Sequence, residues 1–162
     1  MNLTVGFDDA LFFDDDHPWD DAQRRLMDAG FGDGLPLVVP TAARLEDMLR
    51  GATPRVVGSM PPLFGEVGTQ AVAYCCVLAG CVPGELPIVL AAAAATLRDE
   101  FNLLGLQTTT GSPTVCTVVH GPIARELGMN AEANCLGPGN RANACIGRAL
   151  QLVLRNVGGA RP

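Results

Sequence analysis

From Ala71 to Pro83 the chain carries no charged residue. A run this short falls below the roughly 20 apolar residues a membrane span needs, and Gly84, Glu85 and Pro87 follow it at once. It must therefore be covered by the protein's own core. Glu66 to Ala79 reads as a buried helix stopped by Gly80. The core has to be built mainly from Ala, Val, Leu and Gly, because aromatic residues make up only 5% of the chain. Such cores are usually helix-on-sheet layers.

The punctuation around this run sets the remaining elements. Trp19 to Ala29 has helical spacing, with Trp19, Ala22, Leu26 and Ala29 on one stripe. Leu35 to Val39 is a short strand candidate ending at Pro40. Thr41 caps a second helix through Arg50. Arg55 to Gly58 is a further strand candidate, and Met60-Pro61-Pro62 a rigid extended turn. Pro87 fits the first turn of a helix reaching about Arg98. Thr114 to Val119 is β-branched and apolar and reads as a central strand. Ile123 to Leu127 is a short helix ended by Gly128. A last helix follows Asn143 and stops at Gly158-Gly159. Strands and helices alternate, so the expected fold is a single α/β domain, a layered sheet with flanking helices. An acidic N-terminal arm, residues 1–18, precedes the domain at residues 19–162; its charges are expected to be solvated.

Charge narrows the chemistry. Of the 162 residues, the 11 basic ones are all arginines. A Schiff-base lysine, a Walker-type phosphate lysine and a Ser-Lys dyad are excluded. The net charge of −6 argues against a nucleic-acid partner. With neither a secretory leader nor a membrane span legible in it, the chain is expected to be soluble and cytoplasmic, with its six cysteines reduced.

The densest chemical signal is Gly137-Pro138-Gly139-Asn140-Arg141-Ala142-Asn143-Ala144-Cys145-Ile146-Gly147-Arg148. A glycine-rich loop here runs straight into a helix, collecting unpaired N–H groups and the positive end of a helix dipole. Gly137, Gly139, Asn140, Arg141, Asn143 and Arg148 are the candidate binding residues for a small anionic substrate. The helix cap is either Asn143 or Asn140. In both cases Cys145 is expected to have its thiol pKa lowered, and Arg141, Cys145 and Arg148 fall on one helix face. His120, at the end of the expected central strand, is a candidate acid or base. Cys116 lies about 13 Å from it along that strand, too far for the two to share one ion. Cys75 and Cys76 read as core. Cys81, just past a helix end, joins Cys135 and Cys145 as a candidate catalytic thiol. Cys81, Cys135 and one more thiolate could in principle hold an iron–sulfur cluster or a transition metal, although no C-x-x-C spacing marks them. Asp33, in Gly32-Asp33-Gly34, is a turn former or a ligand.

Three stretches carry a family resemblance: Gly32-Asp33-Gly34-Leu35-Pro36 with Val39-Pro40-Thr41; Ala79-Gly80-Cys81-Val82-Pro83 with Leu86-Pro87; and His120-Gly121-Pro122-Ile123 through Glu126-Leu127-Gly128 and Gly137-Pro138-Gly139-Asn140-Arg141-Ala142-Asn143-Ala144 to Asn156-Val157-Gly158-Gly159. Together they resemble the N-terminal portion of a bacterial protein family named for a selenocysteine/cysteine-Gly-Ser-Cys (UGSC) motif. The motif itself is absent here. His120 stands where the family pattern usually has Asn, and Cys145 where it usually has Thr. Members of the family continue beyond the Val-Gly-Gly segment. The resemblance implies a subunit of a two-component enzyme with thiol or redox chemistry, completed by a second polypeptide. A non-catalytic scaffold and a metal- or iron–sulfur-dependent lyase are the alternatives.

Overall fold

The computed structural model describes residues 10–160; Asp8 and Asp9 of the acidic arm lie outside them. About 47% of the described residues are helical. The helices are α1 (Trp19–Asp28), α2 (Ala42–Met48), α3 (Thr69–Ala79), α4 (Leu86–Thr96), α5 (Leu103–Gln107), α6 (Pro122–Glu126) and α7 (Arg141–Asn156). The described residues hold one sheet, an antiparallel pair of β1 (Val56–Met60) and β2 (Gly65–Gly68).

Helix α3 is the centre of the molecule. Thr69 and every residue from Ala71 to Ala79 are buried, as an uninterrupted apolar helix requires. Its main partner is α7, with α2 and α4 against its flanks. From α7, Ile146, Ala149, Leu150 and Val153 enter the core, at the 3–4 residue spacing of one helix face.

The hairpin is fastened at both ends. At its start, the Thr69 hydroxyl accepts from the Arg55 amide at 3.0 Å, and the Thr69 amide donates to the Arg55 carbonyl at 2.9 Å. At its turn, the Leu63 amide donates to the Gly158 carbonyl just past α7, at 2.9 Å. Gly158 is required there: a Cβ would stand 2.6 Å from the carbonyl oxygens of both Leu154 and Pro61. Residues 66–68, expected to open α3, belong with Gly65 to β2 instead, since Met60 and Ser59 pair with Gly65 and Glu66.

Two expected strands do not pair. At Leu35 to Val39 the ladder position is taken by a side chain. The Gln23 amide, buried on α1, donates to the Leu37 carbonyl and accepts from the Leu37 amide, both at 2.9 Å. That is the exchange a neighbouring strand would make. Thr114 to Val119 is not a central strand. Val115, Thr117 and Val119 are half-buried, while Cys116, Val118 and His120 are exposed. The alternation of a strand is present, but the backbone of residues 112–120 makes no hydrogen bond among the described residues.

The residues before α1 are packed from Leu11 onward, which the arm reading did not foresee. Phe13 is buried, its amide donates to the Pro40 carbonyl at 3.0 Å, and the Tyr74 hydroxyl donates to the Leu11 carbonyl at 2.7 Å. Asp14, Asp15 and Asp16 are exposed. His17, expected to be solvated, is half-buried against Phe13 and lies 2.8 Å from Asp21.

Replacing Gln23 with Leu keeps the volume but orphans the Leu37 amide and carbonyl. Equilibrium urea unfolding should show a loss of about 2–4 kcal/mol.

Candidate functional site

The site is built where α3 ends and α7 begins. Gly80, in the left-handed conformation, terminates α3. The chain then turns through Cys81, Val82 and a 3-10 turn (Pro83–Glu85) into α4. Glu85 is the pivot of this turn. Its side chain has no solvent exposure, and its carboxylate accepts from the Val82 amide at 3.0 Å. From α7, Arg141 reaches across with two parallel donors, at 2.7 and 3.1 Å. This is the planar fork a guanidinium can offer and an ammonium cannot. The Arg141 side chain remains half exposed.

Beside this pair lie three thiols. Cys81 neighbours the buried Cys76 thiol, and that neighbour together with burial holds Cys76 well above its ordinary pKa. Cys145 approaches the end of α3: a Cβ on Gly80 would meet its Sγ at 3.7 Å. Arg141 favours the Cys145 thiolate, but burial, with Cys81 and Glu85 as neighbours, outweighs that and pushes the Cys145 thiol up. This corrects the expectation of a lowered pKa. The reason is position. Asn140 is the cap, its side chain accepting from the Asn143 amide at 3.0 Å, so Cys145 sits in the second turn of α7. The exposed amides that stabilise a thiolate belong to the first.

Arg148, one turn on, is already engaged. It holds Asp33 with two bonds, at 2.8 and 2.9 Å, and donates to the carbonyls of Leu35 and Pro36. Asp33 is both the turn former and the ligand of a guanidinium, since it also accepts from the Leu35 amide at 3.2 Å. The Arg148 hydrogen bonds hold its carboxyl below the usual range.

The glycine loop is laced by side-chain amides. Asn143 donates to the carbonyls of Asn130 and Cys135, Asn140 to that of Gly128, and Asn134 to that of Pro138. Gly137 packs against Asn134, and Gly139 takes a positive φ of 112°. The corner remains at the surface, with Pro138, Gly139 and Arg141 exposed. The Arg141 and Ala142 amides, first in the helix, have no protein acceptor among the described residues.

The expected residues thus divide. Cys81, Arg141 and Cys145 come together, with Arg148 within electrostatic range of Cys145. Cys135 is half-buried and joined to α7 through its carbonyl. His120 is exposed, beside an apolar groove under the 115–120 segment. Cys75 is core, as expected, and burial pushes its thiol up to about 12. Among the described residues, no three or more His, Cys, Asp or Glu side chains group so as to hold a metal ion. Nor is any helix among the described residues long and apolar enough to cross a membrane. Glu85 is the residue that sequence reading missed. Its signal was present: it is the sole charged residue between Gln70 and Arg98. A lone acid in so apolar a stretch needs a cation.

Compared with protein-family models, with curated proteins and with solved structures, the chain finds no match.

Arg141→Met leaves the Glu85 carboxylate buried and unpaired, and chemical denaturation should register a loss of about 3–5 kcal/mol. Adding Glu85→Gln to that variant should recover part of it. The Asp33 carboxyl, held low, contributes stability that is complete above the ordinary Asp pKa of about 3.9 and is lost as pH falls through the lower folded value. Asp33→Asn should therefore be less stable than wild type at neutral pH. Melting curves of the two should converge in acid.

Proposed function

We propose that this chain is a subunit of a two-component enzyme that acts on a small anionic substrate through cysteine chemistry, Cys81 and Cys145 being the thiols in play. One observation carries the reading: Cys145 lies beside a half-exposed guanidinium and within electrostatic range of Cys81 from a separate segment, next to the two unclaimed amides that open α7. An anion seated at those amides would lie beside Arg141, the group that favours the Cys145 thiolate. In the chain alone Cys145 rests as the thiol, so the reading assigns its activation to a second polypeptide, which the family resemblance also implies. The layered α/β arrangement would then belong to the assembled state. His120 would move protons only if assembly brought it to the thiols, and Cys135 would serve as a further thiol. The bacterial, cytoplasmic setting is proposed on the same resemblance.

A scaffold reading draws on a different observation: Glu85 and Asp33 already neutralise both arginines expected to take an anion. Iodoacetamide labelling mapped by mass spectrometry separates the two readings, in a Cys116→Ser background that removes the exposed thiol. Under the enzyme reading, inorganic phosphate at constant ionic strength slows Cys145 labelling several-fold, and Arg141→Met slows it at neutral pH by raising the thiol pKa further. If phosphate leaves the rate untouched and Arg141→Met does not lower it, the enzyme reading is wrong and the scaffold stands.

A further inference from the structure

We infer that the extended segment Thr114–His120 is a self-pairing edge, through which two copies of this chain join their strands into one antiparallel ribbon. The inference goes beyond the proposed activity and uses none of the thiol site.

The segment is built as a strand and lacks only a neighbour. Its composition, Thr-Val-Cys-Thr-Val-Val-His, is among the most strand-prone in the chain. Its side chains alternate between half-buried and exposed, with Val118 70% exposed. None of its amides or carbonyls bonds to another described residue. Natural sheet edges are commonly guarded by charge, a bulge or a covering element. Here no Asp, Glu, Lys or Arg occurs from Phe101 to Ala124.

Beneath the segment lies a groove of about 370 Å³, with Ile88, Ala91, Ala92 and Ala95 of α4 on its opposite wall. Helix α4 is apolar all round, yet Ala91 and Ala95 face solvent. A helix of that composition is normally covered on every side.

The occupant that fits is a second copy. In an antiparallel pair centred on Thr117, Val115 lies opposite Val119 of the other copy, Thr117 opposite its own equivalent, and Cys116 opposite Val118. These are the β-branched and Thr–Thr pairs that stabilise ladders. The two-fold axis stands perpendicular to the ribbon, so both α4 helices lie on one side of it, and their exposed alanines permit close approach. Electrostatics favours the same contact. In a chain of net charge −6, most pairings of one copy with another meet like charge. Helix α4 from Leu86 to Thr96 and the whole 101–124 stretch carry none.

With Thr117 at a non-hydrogen-bonded pair, Cys116 and Val118 exchange both of their backbone bonds across the axis. Val118→Pro removes the Val118 amide donor, and with it one of the two bonds of each such pair, once in each copy. It disturbs no bond within the copy, and it suits an already extended Thr117. The wild-type chain should run as a dimer by size exclusion with light scattering and dissociate on dilution. Val118→Pro should weaken that dimer at least about tenfold in Kd while, at dilutions where both chains are monomeric, its circular dichroism and melting temperature stay at wild-type values. Thr117→Cys in a Cys116→Ser background should form a disulfide-linked dimer under mild oxidation, since directly opposed residues lie within disulfide reach. The proposal is overturned by a wild-type chain that stays monomeric at all concentrations, including one whose segment is instead protected by a different polypeptide. It is equally overturned by a dimer that survives Val118→Pro while Thr117→Cys fails to cross-link.

Discussion

The carboxylate of Glu85 is the constraint around which this molecule is arranged. It has no access to water, and a charge in that state persists only if donors surround it. One donor is local, the Val82 amide, and it fixes the 3-10 turn that starts α4. The other two come from Arg141, 56 residues away. A pair with one buried partner contributes little net stability, but leaving the buried Glu85 carboxylate alone is costly. It therefore acts as a register pin. With α4 and α7 locked at their first turns, α3 has one way to lie between them, and the thiols of Cys81 and Cys145 are brought to one place as a result.

Much of this was legible where one local rule governed the outcome. Thr41 caps α2 by accepting from the Arg44 amide. Gly80 ends α3. The apolar spacing of α1 and α7 places Leu26 and Ile146 in the core. What escaped depended on distant partners. Gln23 lies on the buried stripe of α1 because it substitutes for a peptide neighbour of Leu37, and nothing near it in sequence announces that. Gly65 to Gly68 became β2 because the Pro61–Pro62 turn brought it back onto Met60. Thr114 to Val119 has the composition and alternation of a strand, but pairing is a property of two segments, and one of them was not in view.

The candidate site shows the same division. The shared face of Arg141, Cys145 and Arg148 follows from helical spacing alone, whereas the choice of Asn140 over Asn143 as the cap comes from the structure. Nor do the electrostatics follow from spacing. Both guanidiniums arrive already engaged, by Glu85 and by Asp33, and the loop between Gly128 and Asn143 is tied by asparagine amides to its own carbonyls. The pocket for negative charge that the glycines suggest thus narrows to the first two amides of α7 and the exposed side of Arg141.

Helix α7 also determines when the fold can close. Its first residue holds the α3–α4 turn, its middle holds the Asp33 loop through Arg148, and the residue beyond its end holds the hairpin through Gly158. Synthesis delivers α3 well before α7. Until that helix leaves the ribosome, the face of α3 that it buries has no cover, and a nascent chain in that interval is a natural client for a holding chaperone.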